Sequence, residues 1–469
     1  TFPEDIAVQE GAGHLFYLYR DHYLCNGYAG IPYFTFPADK YSKMAVAEDG
    51  TVLLAGKNSA ALVNNKVLTV LTVPESDILS VYVRHGIYYS LNKDGIYRID
   101  SSGFKPLHLS KNIQSIVPGK NEINVGTANG YYAISSLSGD TILSIQNKLP
   151  VNNIRCIGFI GGHVWAGTEQ GGFTERYSGY RYYASKRWLN EDNVTGITSD
   201  SRDNVYFLTP TGLNKIEFRQ ETLKEKATYY QNKIRQRHIR YGFIANSTMT
   251  EQGKVETGQM TDTDNDGLWS AFYLGSQVFR YAVTRDQAAK RYAWEAFEAF
   301  ERILSVNPLK DFPARTFERK GFKYSDPHQW HPSQDSNWKG STSSDEFVGY
   351  LWVASVLSDF AAESPTDKKR IAVFIDKILM HIINNNYYLI DFDGKPTLWG
   401  RWNPEYINSF PETVNDRKLG STTIIAGLQL GYRLTGKPIY KKEALRLMNS
   451  HGYLKNIQIS CYKIGSTKN

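Results

Sequence analysis

Hydrophobic and polar positions follow two different periods in the two halves of the chain. Up to about residue 220, short apolar runs end in glycine, threonine or another small residue, which is typical of β-strands separated by tight turns. Beyond about residue 240, apolar positions recur every three or four residues over longer segments, which indicates amphipathic helices. The pattern therefore predicts a β half and a helical half, joined by a charged connector helix over 221–240.

The β half contains a repeated unit. Five apolar runs, each followed by a turn and a further strand, begin 35, 36, 41 and 41 residues apart, at 52–56, 87–91, 123–127, 164–168 and 205–209. A unit of four short strands in about 40 residues is typical of one blade of a β-propeller. We therefore expect five blades, with 16–34 as the candidate for a sixth. The alternative is a β-sandwich in which the spacing is coincidental.

The clearest copies of the repeat are the Val-Trp-Ala-Gly-Thr string at 164–168 and the segment 200–216, where Gly212 and Leu213 follow the strand. These strings resemble the repeat of two-component-regulator propellers, although the Gly-Gly-Phe string at 171–173 matches loosely. The resemblance implies a propeller fold and a setting among sensor and glycan-utilisation proteins of Bacteroidetes-type bacteria. It implies no catalytic residue.

The second half predicts six long helices, at 266–283, 286–304, 344–362, 366–384, 419–434 and 438–450. Helix-start residues support these bounds, for example Ser343 before the third helix and Pro438 at the opening of the sixth. Short links at 284–285, 363–365 and 435–437 alternate with long connections at 305–343 and 385–418. Short links produce antiparallel hairpins, so we expect an α/α toroid whose long connections open at one end.

Aromatic and charged residues are concentrated in those long connections and just before the first long helix. Five of the nine tryptophans lie there, beside carboxylates and cations. Aromatic rings stack on sugar faces and charged groups orient hydroxyls or uronates, so this composition is typical of a carbohydrate-binding cleft. The candidate substrate-binding residues are Trp269, Arg315, Trp330, Trp338, Lys339, Trp399, Arg401, Trp402 and Arg417.

The candidate catalytic residues are carboxylates and one histidine from the same segments, namely Asp264, Asp266, His331, Asp345, Glu346 and Glu405. Two carboxylates across a cleft can hydrolyse a glycosidic bond. A lyase acting on a uronate instead needs cations on the carboxylate and a histidine or tyrosine as the base, a role open to His331 or to His328.

Each of these residues also has a structural interpretation. Asp345 and Glu346 lie in the first turn of a helix, where one of them can form a capping box with Thr342 or Ser343. Glu405 can cap a helix, and loop histidines are often merely solvated. Arg401 and Arg417 can hold an anionic sugar or tie a long loop to helix ends.

A calcium loop is a further possibility before the first long helix. The string Asp262-x-Asp264-x-Asp266-Gly matches the first half of such a loop, but Tyr273 stands where the loop requires glutamate. Carboxylates at this point also stabilise the start of a helix. We expect no cofactor, with calcium at these three aspartates as a secondary candidate.

Four strings in this half resemble an α/α-toroid domain that follows such propellers in secreted glycan-utilisation proteins of bacteria. They lie at 237–242, 264–269, 338–346 and 399–408, and the resemblance covers roughly 237–454. It implies a glycan-processing context, since toroids commonly serve polysaccharide lyases and glycoside hydrolases. Only three hairpins are legible where about six usually close a toroid. We therefore expect a partial toroid, truncated or completed by another chain.

Length and composition bear on the number of domains and exclude several functional classes. A chain of 469 residues exceeds one hydrophobic core, which agrees with domains at 1–220 and 241–469. The net charge of +7 comes without a basic block, apart from cations in the connector, so we expect no nucleic-acid partner. No apolar stretch is long enough to span a membrane. Cys25, Cys156 and Cys461 are too few for a disulfide framework, and no nucleotide-binding or serine-hydrolase motif occurs.

We therefore expect a two-domain secreted or periplasmic protein, with a signal peptide removed ahead of Thr1, that binds a polysaccharide and cleaves it as a lyase or glycoside hydrolase. The glycan is expected to include uronates. The alternative is a glycan-binding or sensing protein without catalysis, or an inactive truncated homologue. The oligomeric state stays open.

Overall fold

The computed structural model describes residues 2–27, 34–176, 179–321, 329–409 and 416–459. The chain divides into two compact units, Thr1–Gln220 and Glu221–Asn469. His328 and Cys461 lie outside the described residues, whereas Cys25 and Cys156 are free thiols.

The described part of the first unit consists of six consecutive antiparallel sheets, five with four strands and the last with three. Within each sheet the strands are neighbours in chain order. The strands of the first three sheets are β1 (Asp5–Val8), β2 (Leu15–Leu18), β3 (His22–Cys25), β4 (Phe34–Thr35), β5 (Lys43–Val46), β6 (Val52–Ala55), β7 (Ala60–Asn64), β8 (Val67–Leu71), β9 (Ile78–Arg84), β10 (Ile87–Asn92), β11 (Gly95–Asp100) and β12 (Gly103–Leu109). Those of the last three are β13 (Ile113–Pro118), β14 (Glu122–Thr127), β15 (Gly130–Ser135), β16 (Thr141–Gln146), β17 (Cys156–Ile160), β18 (His163–Thr168), β19 (Gly171–Arg176), β20 (Gly179–Tyr183), β21 (Gly196–Ser199), β22 (Val205–Thr209) and β23 (Gly212–Ile216).

These sheets are the blades of a β-propeller, as the sequence predicted. The five repeated runs are the second strands of five sheets, β6, β10, β14, β18 and β22, and the segment 16–34 supplies strands of a sixth. The first strand of one sheet packs against the first strand of the next, for example β5 against both β1 and β9. Such innermost first strands are typical of blades stacked side by side.

The hydrophobic core of the first unit is divided among the spaces between consecutive sheets. Successive side chains of a strand point to opposite faces, so each sheet between the first and the last contributes to the cluster on either side of it. In β6, for example, Leu54 packs in the cluster shared with the first sheet and Leu53 in the cluster shared with the third. A β-sandwich would bury one face of each sheet in a single layer, so this division excludes that alternative.

The repeated threonine and glycine residues build the turn that follows the second strand. The hydroxyl groups of Thr127, Thr168 and Thr209 donate to the carbonyl oxygens three residues later, at 2.9, 2.7 and 2.9 Å. The residues at those positions, Gly130, Gly171 and Gly212, have φ of +112°, +114° and +154°. Only glycine adopts such φ values readily, which explains why this spacing recurs along the β half.

The described part of the second unit contains nine helices and several short strands. The helices are α1 (Leu223–Arg237), α2 (Asp266–Thr284), α3 (Gln287–Ile303), α4 (Ser344–Phe360), α5 (Pro365–Asn384), α6 (Pro404–Ile407), α7 (Arg417–Thr435), α8 (Pro438–Ser450) and α9 (Tyr453–Gln458). The strands are β24 (Ile239–Arg240), β25 (Phe243–Ile244), β26 (Asn246–Met249), β27 (Gly258–Thr261), β28 (Thr316–Arg319), β29 (Trp330–Pro332), β30 (Ser336–Lys339), β31 (Tyr388–Ile390) and β32 (Pro396–Arg401).

The six predicted long helices are α2 to α5, α7 and α8, and they form the three expected hairpins. The long connections between hairpins are more ordered than the sequence indicated. One holds the three-stranded sheet β28–β30–β29, and the next holds the hairpin β31–β32 and the short helix α6. No helix in the described residues is long and apolar enough to cross a bilayer.

Close packing of α2 against α4 brings the starts of two hairpins together. A Cβ on Gly267, in the first turn of α2, would lie 3.0 Å from Cγ of Glu346 in the first turn of α4. A Cβ on Gly349 would lie 3.2 Å from the Cβ of Ala271. Glycine therefore permits the two helix backbones to approach at the end of the unit where the long connections lie.

We expect the turn hydrogen bond of Thr168 to stabilise the propeller measurably. The substitution Thr168→Val keeps the shape of a side chain that is inaccessible to solvent but removes its hydroxyl, which donates to the carbonyl oxygen of Gly171 and accepts from the backbone N–H of Gln170. The cost should be about 1–3 kcal/mol. Hydrogen–deuterium exchange of the segment 164–174 in the full-length protein measures this local loss.

The matched control is Thr198→Val, on an exposed position of β21. It should leave exchange in its own strand nearly unchanged. Equal protection of 164–174 in the wild-type protein and in Thr168→Val would contradict a stabilising role for the repeated turn.

Candidate functional site

A cleft of about 460 Å³ lies in the second unit, where the starts of α2, α4 and α7 meet. The hairpin β31–β32 and helix α6 contribute its remaining wall. Its lining residues are Asp264, Asn265, Arg315, Ser343, Ser344, Asp345, Val348, Trp399, Arg401, Trp402, Tyr406, Ile407, Asp416, Leu419, Gly420 and Thr423. The first, third and fifth long helices thus open at the same end, as the alternation of short and long connections predicted.

Six of the residues singled out in the sequence line this cleft, namely Asp264, Arg315, Asp345, Trp399, Arg401 and Trp402. They come from four separate segments of the chain. The other candidates lie beneath the cleft floor, in the small β28–β30 sheet, or on the outside of the unit. The structure therefore brings together six of the fifteen predicted site residues.

Two buried cations, Lys339 and Arg240, form ion pairs with the three aspartates at the start of α2. The Lys339 ammonium donates to Asp264 Oδ1 at 2.9 Å and lies 3.4 Å from Asp262 Oδ2. This hydrogen bond lowers the pKa of Asp264, whose side chain is 60% exposed in the cleft. Lys339 is itself buried, so it acts from below the cleft and does not face a ligand, contrary to its assignment as a binding residue.

Asp266 belongs to a different ion pair. Its Oδ2 accepts from Arg240 at 3.0 Å, while its Oδ1 accepts from the backbone and the hydroxyl of Thr263. The same guanidinium lies 3.1 Å from Glu318 Oε2. Burial raises the pKa of Asp266, and no part of its side chain opens to the cleft. A catalytic role for Asp266 is therefore not supported by its position.

These pairings also bear on the calcium candidate. Asp262 and Asp264 face Lys339, whereas Asp266 faces Arg240, so the three carboxylates do not converge on one point. Within the described residues, no group of three or more His, Cys, Asp or Glu side chains could hold a metal ion. The residues before α2 therefore do not fit a calcium loop.

Glu346 is fully buried beneath the floor of the cleft. Its Oε2 accepts from the Ser343 backbone at 3.2 Å and from the Ser343 hydroxyl at 2.5 Å, which completes the capping box at the start of α4. Arg315 Nε lies 3.8 Å from the same oxygen. Burial raises the pKa of Glu346 to about 7, against the opposing charge of Arg315. Asp345, one residue earlier, is exposed and lines the cleft.

The tryptophans divide into two groups. Trp399 is 54% exposed and lines the cleft, so it is available to stack on a ligand. Trp269 is 44% exposed but lies on α2 beside Phe272, outside the cleft. Trp402 is only 1% exposed because it packs on Phe347, with ring centroids 4.7 Å apart.

Trp330 and Trp338 are buried in the small sheet of the long connection. Trp338 is inaccessible to solvent and lies against His331 and Phe312. Trp330, on β29, lies near Lys339. The register of β29 on β30 places the two rings on opposite faces of the small sheet, and both are buried there. The expectation that these two rings stack on a sugar is therefore wrong.

His331 lines a separate pocket of about 310 Å³, bounded in part by Asp391 and Phe392. Its ring stacks on Phe392 with centroids 4.5 Å apart. Glu405 is exposed in the first turn of α6 and does not line the cleft. Arg417 donates to the carbonyl oxygens of Ile407, Asn408 and Ser409 at 3.2–3.3 Å, which is the loop-fastening role described as its alternative.

Sequence reasoning overlooked Tyr406 and Asp416 as cleft residues. Burial raises the pKa of Tyr406, and the Arg401 guanidinium lies 5.9 Å from its ring centroid. Both residues lie in the long connection before α7, within or next to the aromatic string at 399–408. Their position there was the only available signal, since nothing in their spacing distinguishes them from solvated loop residues.

Comparison with solved structures finds likeness to propellers. The extracellular domain of a hybrid two-component system of B. thetaiotaomicron is 17% identical, with a TM-score of 0.39, and the match covers 47% of this chain and 33% of that one. The WD40 propeller domain of Doa1 is 10% identical, with a TM-score of 0.37, over 46% of this chain and 78% of that one. A gluconolactonase of Xanthomonas campestris is 11% identical, with a TM-score of 0.33, over 46% and 85%.

The chain spans about a third of the length of the two-component-system domain. These likenesses concern the fold, which the six consecutive sheets of the first unit show by themselves. No family model matches the sequence, and no curated protein matches it.

The buried carboxyl of Glu346 should make the second unit less stable as the pH rises. Its pKa is about 7 in the folded protein against an ordinary value of 4.5, so the folded state retains a proton that the unfolded chain has released. Between about pH 4.5 and 7 this group should therefore cost up to roughly 3 kcal/mol, and no more above that range. Urea unfolding followed by helical circular dichroism at pH 5 and pH 7.5 measures the difference.

The variant Glu346→Gln should abolish this part of the pH dependence, because an amide does not titrate. Asp345→Asn, at the exposed neighbouring position, should retain it and serves as the control. A pH dependence of the same size in Glu346→Gln and in the wild-type protein would contradict the assignment.

Proposed function

We propose that the second unit binds a polysaccharide in the cleft at the starts of α2, α4 and α7, and hydrolyses its glycosidic bonds. The observation that carries this proposal is the exposed ring of Trp399 in the same cleft as three carboxylates, Asp264, Asp345 and Asp416. An aromatic platform beside carboxylates suits a substrate made of apolar sugar faces and hydroxyl groups. Under this proposal the protein works outside the cytoplasm, where polysaccharides are met.

The three carboxylates provide candidates for the two roles that glycoside hydrolysis requires. Asp264 is kept ionised by the Lys339 ammonium, so it is fitted to act as a base or nucleophile. Asp345 and Asp416 line the same cleft and provide the candidates for the proton donor. Glycoside hydrolysis requires one carboxylate that acts as a base or nucleophile and a second that donates a proton.

Hydrolysis is better supported than β-elimination. A lyase needs a histidine or tyrosine near the sugar to abstract a proton. His331 lines a different pocket, and the raised pKa of Tyr406 makes it a poor base at neutral pH. A binding module without catalysis is the second candidate, because the ring of Trp399 and the polar lining suffice for binding.

The ring of Trp399 should contribute to glycan affinity. Replacing it by alanine removes an exposed stacking surface, which should weaken binding by about 0.5–1.5 kcal/mol, or roughly 2- to 12-fold. Isothermal titration with a panel of neutral and uronate-containing oligosaccharides measures the change.

Trp269→Ala is the matched control, since Trp269 is similarly exposed but lies outside the cleft. It should leave affinity unchanged. Equal effects of the two substitutions, or none in either, would count against the cleft as the binding site.

Removing the charge of Asp345 tests catalysis separately from binding. If Asp345 transfers a proton, Asp345→Asn should lower the release of reducing ends by about 100-fold or more while oligosaccharide affinity stays close to that of the wild-type protein. Release of products that absorb in the ultraviolet would indicate β-elimination instead. Binding by the wild-type protein without any bond cleavage would favour the binding module.

A further inference from the structure

Arg315 is a buried cation directed into the cleft. Its side chain is only 7% exposed, yet it lines the cleft beside Ser343 and Asp345. Its Nε donates to the backbone carbonyl of Asp264. Among the described residues, the terminal nitrogens make only long contacts, at 3.5 Å from Nη2 to Asn265 Oδ1 and 3.9 Å from Nη1 to Asp264 Oδ1.

The carboxylates near Arg315 already have closer donors. Asp264 Oδ1 accepts from Lys339 at 2.9 Å, a full ångström closer than its approach to Arg315. Glu346 Oε2 lies 3.8 Å from Arg315 Nε but accepts two shorter hydrogen bonds from Ser343. Burial also favours the neutral form of Glu346. The positive charge of Arg315 is therefore incompletely matched on the side that faces the cleft.

The start of α4 adds to the positive potential at this point. Ser343 and Ser344, at the N-terminus of a 17-residue helix, line the same wall as Arg315. The N–H groups of Ser343 and Asp345 already donate within the capping box, so α4 contributes through its dipole, whereas the Arg315 guanidinium can pair with the oxygens of a carboxylate or sulfate. Helix and guanidinium thus point to the same kind of ligand.

We propose that Arg315, beside the start of α4, forms a subsite for one anionic group of the glycan, either a uronate carboxylate or a sulfate ester. This inference rests on the proposed function, since it specifies the sugar that the cleft takes. The cleft lining carries three carboxylates, Asp264, Asp345 and Asp416, against two cations, Arg315 and Arg401, so a ligand with many anionic groups would be repelled. The ligand that fits is therefore a glycan with one acidic sugar next to neutral ones.

The test compares each acidic oligosaccharide with its own neutral counterpart. The probes are uronate-containing oligosaccharides, the same compounds after reduction of the carboxyl group, and sulfated galactan oligosaccharides with their desulfated forms. Isothermal titration gives the ratio of the two affinities for each pair. We expect the wild-type protein to prefer one acidic form by about 10-fold or more, as charge-assisted hydrogen bonds of this kind imply.

Arg315→Gln should reduce that preference to nearly 1 while the neutral compound still binds, so the neutral compound also reports on folding. Arg315→Lys, which keeps the charge but not the planar fork, should reduce the preference several-fold. Arg433→Gln makes the same change of net charge at the far end of α7 and should leave the preference intact.

The preferred pair identifies the anionic group as carboxylate or sulfate. Equal affinity of the wild-type protein for acidic and neutral forms would overturn the anionic subsite and leave the proposed glycan binding standing. An unchanged preference in either Arg315 variant would also overturn it. Absence of binding to every probe would instead remove the proposed function, and the subsite with it.

Discussion

The candidate site depends on two buried cations that fasten the segment before α2 to the small sheet β28–β30. Lys339, on β30, pairs with Asp262 and Asp264, and Arg240 pairs with Asp266 and with Glu318 on β28. A buried charge without a partner is strongly destabilising, so each of these side chains needs its ion-pair partner in order to stay buried. The pairing fixes where Asp264 and Arg315 stand, and these two residues form one wall of the cleft.

The two units reach a stable core by different means. In the propeller, the same threonine and glycine turn recurs at successive blades, and the inner sheets bury both faces against their neighbours. In the helical unit, glycines at the contact between α2 and α4 allow close approach, and the long connections fold into small sheets of their own. The first unit is built from a repeat, whereas the candidate site residues of the second unit lie in segments that do not repeat.

The cleft combines exposed side chains with charged side chains that are buried. Trp399 and Asp345 are exposed, while Arg315 and Glu346 are buried and in contact with each other. Positioned charges in a partly dry site interact more strongly than they do in water, which is useful both for binding an anion and for proton transfer. Burial leaves Glu346 with a raised pKa, because the charge of Arg315 and the capping hydrogen bonds do not fully compensate for the loss of solvent.

Local patterns were sufficient to predict the strands, the blade repeat and the bounds of the long helices, since these depend on periodicity, turns and caps that neighbouring residues determine. The alternation of short and long connections also predicted that the starts of α2, α4 and α7 share one end. Only the tertiary structure decided which loop residues face the cleft. Trp338 and Trp399 have similar surroundings in the sequence, but strand pairing buries the first and a hairpin exposes the second. Asp345 and Glu346 are adjacent, yet a helical turn directs one to solvent and the other beneath the cleft floor, because consecutive positions on a helix point about 100° apart.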